Sequence, residues 1–191
     1  MKYLFFVLFV SQFVLLVSAQ INRHSLEISP VSPMFNIYAV QYLYHFDEKN
    51  AGMIGISYAN MAQKPAEKRQ PKWMDIIITP NTLKKDIGVN HSWTLFAGYK
   101  YYLTKNIHTE YQLWPGYNSF YSSTEKKYYN GFDLWNEFRV GYTFYFGDSP
   151  FYLNLQYLVG FGLIKGNKPA DFGEGSDPVF RAPVFFIGWK F

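Results

Sequence analysis

Six charged residues fall at alternate positions of segments whose other positions are apolar: Glu27, Lys100, Glu110, Glu137, Arg139 and Lys190, with His45 and His108 at the same parity. Three acids against three bases support two kinds of chemistry. Paired with one another, they make a polar plug that holds strands in register and fills a narrow interior, because unpaired buried charges are costly. Strung along that interior, Glu137, Arg139 and Lys190 make a path for protons or ions. No convincing catalytic constellation accompanies them, so the chain is not expected to be an enzyme.

Other candidates are weaker. Asp171, Glu174 and Asp177 stand among Gly173, Gly175 and Pro178 and offer hard oxygen ligands for calcium, but their spacing matches no calcium loop and a solvated surface loop explains them. No metal or cofactor is expected. Trp93, Trp114, Trp135 and Trp189, with the many tyrosines, would form either a ligand-stacking surface or aromatic belts at a membrane interface; belts need less assumption, although Trp73 lies in a long loop where belts do not account for it.

The charged residues must be positioned by strands. From Leu134 to Phe146, Phe138, Val140, Tyr142, Phe144 and Phe146 share one parity while Glu137, Arg139, Gly141, Thr143 and Tyr145 share the other. A period of two puts these sets on opposite faces. After the turn at 147–150, Phe151, Leu153, Leu155, Tyr157, Val159, Phe161 and Leu163 repeat the pattern against Tyr152, Asn154, Gln156, Gly160 and Gly162, which completes a hairpin. The same alternation runs through 91–103 and 107–121, with Pro115 and Gly116 marking a bend or a strand end. It recurs at 36–46 and 51–60, and at 24–29 it is short, since Pro30 and Pro33 follow.

Eight segments result: 24–29, 36–46, 51–60, 91–103, 107–121, 132–146, 151–165 and 181–191. Connections at 47–50, 104–106 and 147–150 are short; those at 61–90, 122–131 and 166–180 are long. The connection at 30–35 is short where a long one is expected. Met74 to Thr79 is read as an extension of a neighbouring strand, a separate strand being the alternative.

Composition agrees. Aromatic residues make up 21% of the chain, with 17 Tyr and 19 Phe, and cysteine is absent. Residues 1–19 read as a secretory signal: Lys2, an apolar stretch from Tyr3 to Val17, and Val17-Ser18-Ala19 before Gln20, with an apolar run too short for a spanning helix. Removing them takes the formal charge from +4 to +3, too small and scattered for nucleic acid. The remaining 20–191 make one domain. No later apolar run approaches helix-spanning length, so a membrane location requires strands closed into a barrel, lipid offering no partner to open backbone.

The terminal segment carries the most specific sign. Phe185, Ile187, Trp189 and Phe191 form one apolar, aromatic face that ends on the last residue. With the alternation of the other strands, this resembles the small eight-stranded outer-membrane barrels of Gram-negative bacteria, the OmpA and OmpX type in the broad sense. The resemblance covers nearly all of 20–191. It implies an all-β, antiparallel eight-stranded transmembrane barrel in the outer membrane, with the four terminal residues as the signal read by the barrel-assembly machinery. It implies lipid and lipopolysaccharide as surroundings, a monomer, and a structural or surface-interaction role through long external loops. Lys64, Lys68, Arg69, Lys72, Lys84 and Lys85 of loop 61–90 would then face lipopolysaccharide phosphates, with partner binding as a second role. Enzymatic members that deacylate lipid A carry a His-x-Ser arrangement; here His91 and Ser92 are adjacent and followed by Trp93, so no catalytic role is carried over. A lipid A-modifying enzyme, a narrow channel for small solutes and a soluble barrel that binds lipid inside stand as alternatives.

Overall fold

A computed structural model describes residues 23–35, 37–60, 87–122, 125–164, 166–167 and 179–191. The parity of the sequence becomes eight antiparallel strands: β1 His24–Ile28, β2 Ile37–His45, β3 Asn50–Ala59, β4 Ile87–Tyr102, β5 Ile107–Ser122, β6 Lys127–Tyr145, β7 Phe151–Ile164 and β8 Val179–Lys190. Each pairs with its neighbour in sequence, and β1 pairs with β8, so the sheet closes on itself. The short connection after β1 holds a 3-10 turn, Ser32–Phe35.

The stagger of the ladders follows from the register. Ser25 pairs with Leu43, and the walk continues through Met53, Gly98, Gln112, Glu137 and Gly160 to Phe180 of β8. Ser25 also pairs directly with Lys190. The difference, 190 − 180, is a shear of ten residues. Eight strands with that shear tilt by about 40° and enclose a cylinder of about 8 Å radius, which side chains fill.

Two expectations are corrected. Residues 122–131 are not a long loop: β5 runs to Ser122, β6 starts at Lys127, and Lys126 turns the hairpin with φ 51°. The polar composition there belongs to a continuing ladder, in which Tyr121 pairs with Tyr128 and Ser122 with Lys127. Pro115 does not end its strand either. It pairs with Leu134 on the β6 side, while the β4 ladder resumes only on either side of it, at Thr94–Gly116 and Ala97–Leu113. A missing N–H interrupts one ladder and leaves the other intact. Pro183 is accommodated by a different device. Lys190 N–H points to Pro150 and Phe191 N–H to His24, so the N–H groups of odd-numbered β8 residues are directed toward the β1 side. The last β1 pair is Ile28–Ile187, which leaves no β1 ladder bond for Pro183 to break.

The wall is apolar outside and polar inside. Phe138 and Val140 are more than half exposed on the exterior, whereas the intervening Arg139 is buried. Leu95, Ile54, Tyr157 and Ile187 extend the exposed apolar surface around the barrel. Inside, glycines give room to rings: a Cβ on Gly55 would lie 2.1 Å from the Phe96 ring, and one on Gly188 would lie 2.0 Å from that of Tyr152. In both cases glycine and ring are direct cross-strand partners. The segments 1–22, 61–86 and 168–178, which contain the signal reading, Met74 to Thr79, Trp73, the cations Lys64 to Lys85, and the acids Asp171, Glu174 and Asp177, lie outside the described residues.

Candidate functional site

Strand register brings the expected interior charges together. Lys100 on β4 and Glu110 on β5 are cross-strand partners, and Glu110 in turn pairs with Arg139 on β6. The Lys100 ammonium lies 2.7 Å from Glu110 and 3.1 Å from Glu27 on the opposite wall, with all three side chains fully buried. Glu27 also accepts hydrogen bonds from Gln41, from the Tyr152 hydroxyl at 2.8 Å and from Asn154 at 3.2 Å. Four donors on one carboxylate offset the loss of its hydration.

A second cluster lies toward the long-loop end. Arg139 donates from two nitrogens to one oxygen of Glu137, and Trp135 Nε1 donates to the other at 3.0 Å. The guanidinium lies between the rings of Trp114 and Phe186, 5.7 and 5.5 Å from their centres. Gln156 joins the clusters: its amide nitrogen donates to Glu110 at 2.5 Å and its oxygen accepts from Arg139 at 3.2 Å. Glu27, Lys100, Glu110, Arg139 and Glu137 therefore belong to one connected network. His108 stands at its edge, 3.4 Å from Glu110.

Lys190 is the exception. None of the ion pairs among the described residues includes it; its ammonium instead sits 4.3 Å from the Tyr145 ring centre and 5.7 Å from that of Tyr152. An equal count of acids and bases does not give pairwise matching, because Lys100 lies between two carboxylates.

The tryptophans divide as well. Trp93 is exposed on the exterior, and Trp189 shares the outward parity of Leu26 and Phe151, its pairing partners. Trp114 and Trp135 face inward: Trp114 stacks on Phe96 with centres 4.0 Å apart and donates to Gln112, and Trp135 covers Gly160. These two are interior packing and not parts of a belt. Reading Trp114 by parity with Glu110 and Gln112 places it correctly. Trp135 shares the inward parity of Glu137 and Arg139 and pairs with Trp114, so alternation places it inside as well; the register shift beside Leu134 adds its extra residue to β7 and leaves the parity of β6 intact.

The uncharged members, Gln41, Gln112, Tyr152, Asn154 and Gln156, were legible as inward positions but not as links. Their role depends on which strands face each other across the lumen. Chemically the site is saturated: Asn154 Oδ1 is the one buried side-chain polar atom without a partner among the described residues. Leu43, Phe96, Leu158 and Phe186 fill space between the polar groups. Among the described residues no group of three or more His, Asp or Glu side chains is placed to share a metal ion.

At the short-turn end the interior opens into a bowl of about 1000 Å³, lined by the turns after β2, β4 and β6 and by His45, Tyr102, Tyr145 and Lys190. Asp47 on its rim accepts hydrogen bonds from the Asn50 side chain and the Lys49 N–H, which hold its carboxyl below the usual carboxylate range.

The terminal face is built into the closure. Phe185, Ile187 and Trp189 pair with the outward Leu155, Leu153 and Phe151 of β7. Phe191 donates its N–H to His24 O at 2.9 Å, and its ring stacks on that of His24 with centres 5.8 Å apart. No family model matches the chain, and no match is found among curated proteins or solved structures.

Proposed function

We propose that the chain is a bacterial outer-membrane barrel, exported by residues 1–19 and folded from 20–191, with a lumen closed by its own side chains. Its role is structural or surface-interacting, exercised through the long connections between β3 and β4 and between β7 and β8. The observation that carries the reading is the inverted wall, apolar outside and ionic inside. A lipid-carrying soluble barrel would need the reverse.

Dimensions support it. On β4 and its turn, outward residues run from Leu103 to Trp93, both exposed. Ten residues at about 3.3 Å and a tilt of about 40° cover about 25 Å along the axis, the height of the apolar band of such barrels. No helix of the described residues is long and apolar enough to cross a membrane, but barrels cross with strands.

Under this reading lipid and lipopolysaccharide cover the exterior, Phe185, Ile187, Trp189 and Phe191 are read by the barrel-assembly machinery, and the protein works as a monomer without cofactor. The saturated network of Glu27, Lys100, Glu110, Glu137 and Arg139 favours a plug over a channel. Membrane fractionation together with gel mobility before and after boiling tests the location: a soluble protein with no heat-dependent shift refutes it. Conductance steps in planar bilayers that vanish in an Arg139→Ala variant would replace the plug with a channel.

A further inference from the structure

Among the described residues Lys190 has no carboxylate within ion-pair distance, yet much of it is enclosed. It stands at the floor of the short-turn bowl, its ammonium held against the faces of Tyr145 and Tyr152. The acids deeper in the barrel are not available to it. Glu27 is occupied by four donors and Glu110 by Lys100, Gln112 and Gln156. Around the bowl stand three further cations, Arg23, Lys49 and Lys105, against Asp47, Glu48 and Asp148. Asp47 is engaged by its own turn.

From this geometry we infer that the short-turn bowl is a binding site for a small multivalent oxyanion, with Lys190 as the floor cation and Lys105 as a rim cation. An ammonium packed on aromatic faces has lost part of its hydration, which makes it a stronger partner for an anion than a free surface lysine. The aromatic shelf fixes its position, so little side-chain freedom is lost on binding. Partial enclosure lowers the dielectric and strengthens the attraction, and the flanking cations add to the field. Carboxylate and phosphate share this chemistry. The bowl is open enough to admit either as a free anion or as a group on a larger molecule. The site depends on the barrel geometry alone and stands apart from the membrane reading.

Calorimetric titration of the folded chain in a nonionic detergent tests it, with inorganic phosphate in one arm and citrate in the other. Saturable binding is expected in at least one arm, and the responding arm identifies the anion chemistry. Lys190→Gln should weaken it about tenfold and Lys105→Gln by a smaller factor, while Lys127→Gln at the opposite end leaves it unchanged. Heat-dependent gel mobility checks that each variant folds. If Lys190→Gln does not fold, Lys105→Gln decides. No saturable binding in either arm overturns the proposal, and so does equal affinity in wild type and the folded bowl variants.

Discussion

Lys100 and Glu110 face each other across the β4–β5 hairpin as register partners, and their side chains meet at 2.7 Å with neither exposed to solvent. The pair is fully buried although it lies only two to three residues inside the β4–β5 turn, and Glu27 reaches it from the opposite wall. The ionic core therefore ties together strands distant in sequence. Removing one member leaves charge behind without its partner.

Glu27→Ala is the sharpest test of that core. It strips the second carboxylate from Lys100 and leaves Gln41, Tyr152 and Asn154 without an acceptor. A loss of about 3 to 5 kcal/mol is expected in urea unfolding followed by tryptophan fluorescence. A loss below about 1 kcal/mol would count against Glu27 as the centre of the network.

Glu137 and Arg139 allow a comparison of breaking a pair with replacing it. Arg139→Met leaves the Glu137 carboxylate buried with only Trp135 as donor and should cost about 3 kcal/mol or more. The double variant Glu137→Met/Arg139→Met removes both charges and should be more stable than the single one. The same unfolding measurement decides, and a double variant weaker than Arg139→Met contradicts the argument.

Gly188 tests the fit of ring to backbone. A Cβ there meets Tyr152 ring atoms at 2.0 to 2.5 Å, so Gly188→Ala must displace the ring and with it the hydroxyl bonded to Glu27. A destabilisation of about 1 to 3 kcal/mol is expected. Adding Tyr152→Leu should cost less than the sum of the two single changes.

Val140 tests what covers the wall. It is 58% exposed on the exterior of β6. If hydrocarbon surrounds it, Val140→Arg should cost about 2 to 4 kcal/mol near the bilayer midplane in refolding into vesicles. A neutral change in vesicles argues that Val140 faces water.

Phe191 separates an assembly role from a stabilising one. If the proposed outer-membrane location holds, Phe191→Ala should lower the amount inserted there in cells several-fold, while the purified chain refolds in detergent with a loss near 1 kcal/mol, the order of one lost ring contact. Equal insertion with a large loss of stability in detergent would make Phe191 a structural residue only.

Much of the barrel was legible because a strand has a period of two. Once Glu137 and Arg139 were assigned to one face, Phe138 and Val140 had to lie on the other, and counting hairpins gave eight strands whose cores match the observed ones. The misses have local causes. The polar residues of 122–131 looked like a loop because ladder pairing across a hairpin leaves no mark in composition. Residue type groups Trp114 and Trp135 with interface belts, although their parity with Gln112 and Glu137 already places them on the inward face.

The sequence by itself determined which residues face in, which face out and how many strands there are, since all three follow from local alternation and turn chemistry. It did not determine which inward groups meet. Glu27 and Lys100 are 73 residues apart, Tyr152 lies 125 residues from Glu27, and their contact depends on the ten-residue shear and the β1–β8 closure. Only the closed barrel decided that Lys100 is shared by two acids and that Lys190 is left to an aromatic shelf. Pairing across a lumen is set by stagger and radius, and these are properties of the whole sheet that no single strand encodes.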